Sequence, residues 1–255
     1  MRQCSGEQVV IRGVVIGGEK PLICLPLLAG KKVDLIQQAD EIKTLQPDLL
    51  EWRADCFEQA EDQEACLDCL RDMRKKVGQI PLIFTLRSHL EGGQSTMSLK
   101  DKLALLSEVM VSGDVDIIDV EMCNGTDFIE SINRIKEQTQ TGLILSYHNF
   151  ERTPSEEFIL DKLVQAQEMG ADIAKVAVMP KNNADVLSLL SATDRARTSG
   201  VKIPIVTMSM GAAGAITRLA GGMFGSDITF AMGEASSAPG QLPFADVKRV
   251  VDILY

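Results

Sequence analysis

Histidine is scarce in this chain: His89 and His148 are the only two among 255 residues. That scarcity excludes a zinc site built on paired histidines. The six cysteines (Cys4, Cys24, Cys56, Cys66, Cys69 and Cys123) are scattered, and the one CxxC pair, Cys66 and Cys69, lies in a charged helical pattern with no second pair to complete a metal set. They read as reduced, structural residues, as expected in a reducing cytoplasm. No metal and no cofactor are expected. Aromatic residues are few, at 4%, so the core must come from Leu, Ile, Val, Ala and Met. Basic charge is in deficit, giving a net charge of −10. A field of that sign repels nucleic acid and anionic membrane surfaces, and a small anionic substrate would need a local cluster of Arg or Lys. No run of about 18 apolar residues suggests a membrane span. The opening Met1-Arg2-Gln3-Cys4-Ser5-Gly6-Glu7 has no apolar core and no cleavage pattern, so a cytoplasmic location is expected. No linker, low-complexity stretch or long repeat divides the chain, and a single domain over 1–255 is expected.

Two kinds of segment alternate. Short apolar, β-branched runs at 22–28, 49–53, 82–87, 116–121, 143–148, 172–178, 203–210 and 228–232 predict eight strands. Longer runs with charges at helical spacing predict helices at 31–45, 61–76, 98–111, 126–137, 155–169, 182–198, 213–220 and 243–254. Pro154 and Pro243 sit where a first helical turn tolerates proline. Gly78, Gly113, Gly170 and Gly200 follow helices, where a left-handed cap favours glycine. Strict β–α alternation implies parallel strands with right-handed crossovers, and eight such units in about 250 residues is the size of a (β/α)8 TIM barrel. An open doubly wound sheet usually carries GxGxxG after its first strand, and none is present there. Val9–Arg12 and Val14–Ile16, around Gly13, predict a short hairpin closing the barrel's bottom.

Barrel catalysis occurs at the C-terminal ends of the strands. Lys175 stands inside Asp172-Ile173-Ala174-Lys175-Val176-Ala177-Val178, where a strand buried on both faces should be apolar. Either it is a desolvated, nucleophilic amine, or it is ion-paired with an interior carboxylate such as Asp119 or Glu121. His148 ends the preceding strand and suits general acid–base work; taken alone it reads sooner as a packed or capping residue, but Lys175 on the next strand shares its mouth of the barrel. Glu91, in Arg87-Ser88-His89-Leu90-Glu91-Gly92-Gly93, is a solvated loop acid or a carboxylate that orients a histidine. Glu51 with Arg53, Thr85 with Arg87, and Asp119 with Glu121 are polar pairs two residues apart. Each pair faces one side of its strand, which indicates a wet, charged pocket with pairing inside it. Arg218 is a surface helix charge or a bidentate carboxylate ligand. Ser237-Ala238-Pro239-Gly240-Gln241 reads as a lid. Met208 and Met210 read as pocket wall or core.

With these residues in place, the chain closely resembles the type I 3-dehydroquinate dehydratases of the shikimate pathway. The matching stretches are Glu51-Trp52-Arg53, Phe84-Thr85-Leu86-Arg87-Ser88 with Glu91-Gly92-Gly93, Ser146-Tyr147-His148-Asn149-Phe150, Lys175-Val176-Ala177-Val178-Met179-Pro180, Thr207-Met208-Ser209-Met210, Arg218-Leu219-Ala220-Gly221 with Phe224-Gly225-Ser226, and Ser237 to Gln241. They run in family order from about residue 21 onward. Pro26 and the plain turn Gly211-Ala212-Ala213-Gly214 depart from the pattern without removing a catalytic group.

The resemblance implies the following roles. Lys175 forms an imine with the C3 ketone of 3-dehydroquinate. His148 removes the C2 proton and protonates the departing C1 hydroxyl, and Glu91 orients His148. Arg218 binds the substrate carboxylate, Ser237 and Gln241 close over the ring, and Glu51, Arg53 and Arg87 contact its hydroxyls or support the pocket. It also implies a homodimer. The chief rival is another Schiff-base barrel lyase, such as an aldolase holding a sugar phosphate near Gly221, Gly222 and Gly225. Glu91 with His148, and Arg218 with the 237–241 loop, separate the two. A barrel that had lost activity should lack Lys175, His148 or Glu91, and all three are present.

Overall fold

The structure, a computed structural model, describes residues 3–233 and 236–255; Met1 and Arg2, the start of the stretch read as free of a targeting signal, lie outside the described residues. A hairpin comes first, β1 (Val9–Ile11) against β2 (Val14–Ile16), antiparallel. Arg12 and Gly13, between them, have φ of 48° and 83°, the positive pair that a tight two-residue hairpin turn requires.

Eight parallel strands follow: β3 (Leu22–Leu27), β4 (Leu49–Arg53), β5 (Leu82–Thr85), β6 (Ile117–Glu121), β7 (Gly142–Asn149), β8 (Ile173–Val178), β9 (Ile205–Ser209) and β10 (Ile228–Phe230). Each pairs with the next from β3 to β9, and β10 returns to pair with β3. Asp227 N–H donates to Ile205 O at 2.7 Å across the remaining seam, so the sheet is a nearly closed (β/α)8 barrel. The helices between strands are α1 (Lys32–Lys43), α2 (Gln63–Val77), α3 (Leu99–Ser112), α4 (Thr126–Lys136), α5 (Glu156–Glu168), α6 (Asn183–Thr198), α7 (Ala215–Ala220) and α8 (Phe244–Leu254). Asp62, Ser98, Ser155 and Asn182 cap α2, α3, α5 and α6 by accepting a backbone N–H of the first turn, each cap contributing about 1 kcal/mol.

Where the strands and helices differ from the sequence expectation, backbone chemistry gives the reason. β5 ends at Thr85 rather than 87 because Arg87 N–H turns away to Asp55 and Ser88 caps a tight turn over His89–Glu91. β9 begins at Ile205 because Pro204 has no N–H for the ladder. Pro154 and Pro243 stand just outside their helices: Ser155 caps α5, and Pro243 itself precedes the first residue of α8. Gly78, Gly113, Gly170 and Gly200 all take positive φ.

Two apolar layers fill the fold. The outer one packs the helices on the barrel. Cys66 and Cys69 lie in it, both fully buried, and burial pushes their thiols up to about 12 and about 11. That matches their reading as structural residues. The inner layer fills the lower barrel with Leu22, Leu49, Ile83, Ile117, Ile144, Ile173 and Val206, and Ile16 of the hairpin seals it from below. Arg12 pairs with Asp116 at 2.6 Å to fasten the hairpin at the foot of β6. Two residues above five of these apolar side chains, on β4 to β8, the same strand face turns polar: Glu51, Thr85, Asp119, Ser146 and Lys175. The period of two along each strand therefore puts all five on the barrel axis, above a dry floor.

Candidate active site

At the C-terminal end of the barrel a cavity of about 450 Å³ is lined by Glu51, Arg53, Arg87, Glu91, His148, Lys175, Ser237 and Gln241, with Phe150, Met208, Met210 and Phe230 among its apolar walls. Eight of the nine site residues expected from the sequence thus converge here. Arg218 is the ninth and sits behind the wall. Its Nη1 donates to Phe230 O at 3.2 Å and lies 3.7 Å from Met208 Sδ, and its Nη2 donates to Pro239 O at 3.2 Å. Both Met208 and Phe230 face the cavity. Met208 and Met210 are pocket wall, as their shared strand face implied.

Lys175 is 5% exposed. Its Nζ is 2.8 Å from Asp119 Oδ2, 3.6 Å from Glu51 Oε1 and 4.7 Å from the centre of the Phe230 ring. Asp119 also takes Arg87 Nη2 at 2.7 Å and the Ser146 hydroxyl at 2.6 Å. Burial would push the Asp119 carboxyl up, but Arg87 and Lys175 outweigh it and hold it well below the usual carboxylate range. Burial likewise disfavours the Arg87 cation, yet Asp119, Glu121, Glu91 and Glu51 together fix its proton more firmly than usual.

The other wall is a carboxylate–imidazole pair. Glu91 Oε2 lies 2.9 Å from His148 Nδ1 and accepts the His148 backbone N–H at 2.9 Å. An ionised Glu91 accepts a hydrogen bond from Nδ1–H, which leaves the lone pair of the neutral ring on Nε2. Burial, then Arg87 and Lys175, hold the imidazole well below its usual range, so it rests neutral. Burial also lifts Glu91 to about 7, with Glu121 adding to the lift and Arg87 opposing it. The turn that carries Glu91 is possible because residue 93 is glycine: a Cβ there would stand 2.1 Å from Arg87 O.

Arg53 is fixed by two parallel bonds to Asp55, each 2.8 Å, and reaches Ser237 O at 3.4 Å. The loop over the mouth is self-braced: Ser237 N–H donates to Gln241 Oε1 at 2.8 Å, and Gln241 Nε2 donates to Ser237 Oγ at 2.9 Å. Gly211 N–H donates to Pro239 O at 3.0 Å, tying that loop to the end of β9. Arg218 has no acidic partner among the described residues, its Nε has no hydrogen-bond partner, and burial brings it down to about 10. A buried cation without an anion is costly and suits an anionic group arriving from outside.

The sequence pattern of the type I 3-dehydroquinase family matches residues 23–255. The chain belongs to the type I 3-dehydroquinase family. It is 45% identical over 251 residues to 3-dehydroquinate dehydratase of Geobacillus kaustophilus (strain HTA426), covering 98% of this chain and 97% of that one. A crystal structure of 3-dehydroquinate dehydratase from Geobacillus kaustophilus HTA426 superimposes with a TM-score of 0.96 at 44% identity, over 100% of this chain and 98% of that one. A type I 3-dehydroquinate dehydratase from Clostridium difficile, crystallised with covalently modified comenic acid, gives a TM-score of 0.95 at 39% identity, over 97% of this chain and 98% of that one. The open-sheet and inactive-barrel readings fall away, and the chain is an enzyme of this dehydratase family.

Within this 3-dehydroquinase, several residues escaped the sequence reading. Asp55 accepts from Arg53, from Arg87 N–H and from Gln94 N–H; its signal was the two-residue step continuing from Glu51 and Arg53. Ser146 was visible in the same way, two before His148. Phe230 beneath Lys175 carried no signal, because an aromatic residue in a barrel strand reads as core.

Proposed function

We propose that the enzyme dehydrates 3-dehydroquinate to 3-dehydroshikimate in the shikimate pathway through a Schiff base on Lys175. The neutral amine adds to the C3 ketone, one proton is taken up from solvent and a water leaves, giving a protonated imine; that proton is returned on hydrolysis. His148 Nε2 takes the C2 proton, and the electron pair flows into the imine to form an enamine. The enamine expels the C1 hydroxyl, which takes the proton from His148 on the same face, making the elimination syn. Water then returns the ketone and frees Lys175, so the net loss is one water. A protonated imine is a far better electron sink than a ketone, which is what a lysine nucleophile supplies.

The observation that carries this reading is the placement of Lys175 and a neutral, Glu91-held His148 on one cavity. Asp119 supports it further, since Arg87 keeps that carboxylate paired when Lys175 gives up its proton. Arg218 is proposed to take the substrate carboxylate, with Ser237 and Gln241 closing over the ring, and Glu51, Arg53 and Arg87 holding hydroxyls or the pocket. The same reading has the enzyme as a single catalytic domain over 1–255 and a cytoplasmic homodimer. Sedimentation of the enzyme as a monomer at micromolar concentration would remove the dimer from it.

The test is borohydride reduction in the presence of dehydroquinate, followed by digestion and mass mapping. A substrate-sized adduct on Lys175 is expected; its absence sinks the mechanism. His148→Ala should still be trapped yet lose nearly all turnover, and near-normal turnover would remove His148 from its role.

A further inference from the structure

Helix α3 belongs to the outer ring, and its Lys102 is nevertheless 3% exposed. The ammonium reaches inward to Glu121 Oε2 at the end of β6. Glu121 is fully buried. Its Oε1 accepts Ser88 N–H at 2.7 Å and lies 3.3 Å from Arg87 Nη1, and its Oε2 accepts Asn124 Nδ2 at 3.3 Å. That same Arg87 Nη1 is 4.0 Å from Glu91 Oε2. One guanidinium is therefore shared between Glu121 and the carboxylate that holds His148, and Lys102 satisfies the first claimant. A buried ion pair adds little or nothing to stability compared with well-packed apolar side chains, so bulk stability does not explain a lysine on the outer ring at this point.

We infer that Lys102 is a positioning residue for the reaction: by neutralising Glu121 it leaves Arg87 available to Glu91, and so keeps Glu91 ionised against His148. This rests on the reading of Glu91 and His148 as the proton-handling pair. The groups that face Glu91 are Arg87 from the segment after β5, Glu121 and Cys123 from β6 and the turn after it, and His148 from β7; Asp119, Lys175 and Arg53 act on the imidazole as well. Glu121 raises the Glu91 carboxyl and Arg87 lowers it. Removing the ammonium lets Glu121 compete for Arg87 and repel Glu91. Removing the Glu121 charge does the reverse.

The signs make the test. In Lys102→Met the acid limb of kcat against pH should move up by about one pH unit, the lower end of what one nearby charge does, with kcat at pH 7 falling severalfold and KM changing less. In Glu121→Gln the limb should move down. The double variant removes one charge of each sign and should bring the limb back to within about 0.3 of the wild type, as opposed shifts that sum would, and Lys102→Arg should retain the wild-type limb. An acid limb unmoved in Lys102→Met, or two single variants shifting it in the same direction, overturns the inference. Should Lys102→Met not fold, the downward shift in Glu121→Gln decides it alone. Borohydride trapping on Lys175 in the wild type is run beside these: no adduct there fails the proposed mechanism, whereas an adduct with an unmoved limb fails only the role of Lys102.

Discussion

Arg218→Met removes a buried guanidinium that has no acidic partner among the described residues. The fold bears a cost for that cation. A drop from 12.5 to about 10 on burial corresponds to about 3 kcal/mol at 1.36 kcal/mol per pH unit. The bonds to Phe230 O and Pro239 O, each 3.2 Å, offset it by about 1–1.5 kcal/mol apiece. The two sides nearly cancel, so the unliganded variant should unfold within about 1 kcal/mol of the wild type, or about 2–4 °C in Tm for a chain of this size. With substrate the balance changes, because a carboxylate forked on the guanidinium makes two charge-assisted bonds of about 1.5–3 kcal/mol each. The expected loss in kcat/KM is about 3–5 kcal/mol, or about 10²- to 10⁴-fold. Arg218→Lys keeps the charge without the fork and should recover about tenfold. The assays are the rise of conjugated-enone absorbance for turnover and thermal unfolding with and without product. Product should raise the Tm of the wild type and leave that of Arg218→Met unmoved. A variant destabilised by more than about 3 kcal/mol with kcat/KM within tenfold of the wild type would refute the reasoning and leave Arg218 as a brace for the 237–241 loop.

Asp119→Asn leaves Arg87 and Lys175 facing each other without their shared anion and should cost about 3–5 kcal/mol in urea unfolding; an unchanged midpoint counts against the shared-anion arrangement. Because the folded carboxyl is held below its ordinary value of 3.8, its stabilisation is complete above that value and disappears as pH falls through the folded one. Glu91 has the opposite sign: burial lifts it to about 7, so wild-type stability relative to Glu91→Gln should decline as pH rises from about 4.5 to about 7, while turnover rises over the upper part of that window. Parallel thermal and rate profiles that move together contradict this. Gly93→Ala puts a Cβ 2.1 Å from Arg87 O, displacing the Glu91 turn; kcat should fall at least tenfold, and a wild-type kcat would show that the turn can shift without moving Glu91.

The barrel was legible because its signals are local: β-branched runs recur along the chain, and α2, α3, α5 and α6 carry both a capping side chain and a glycine at positive φ after them. Strand ends were less so, since β5 ends where Arg87 N–H finds Asp55, and that partner comes from the turn after β4. The site was legible where a period of two carried charge along a strand, as in Glu51 and Arg53 or Asp119 and Glu121. Lys102 was not, because a lysine in an amphipathic helix reads as a solvated face until the helix is packed. Nor did any pattern show that Arg218 would stand unpaired.

Lys175 posed a choice between ion pair and nucleophile, and the geometry removes the opposition between them. Its ammonium is paired, 2.8 Å from Asp119. Had Asp119 no other cation, deprotonating Lys175 would strand a fully buried carboxylate, and the pair would be inert. Arg87 at 2.7 Å and the Ser146 hydroxyl at 2.6 Å also hold Asp119, so loss of the Lys175 proton would not leave that carboxylate without a partner. Phe230, 4.7 Å from Nζ, favours the cation through its ring face, whether ammonium or iminium. In the proposed mechanism the interior carboxylate that makes Lys175 look structural is thus the group that would keep the pocket balanced, and Asp119→Asn should impair imine formation itself, whereas His148→Ala should spare it.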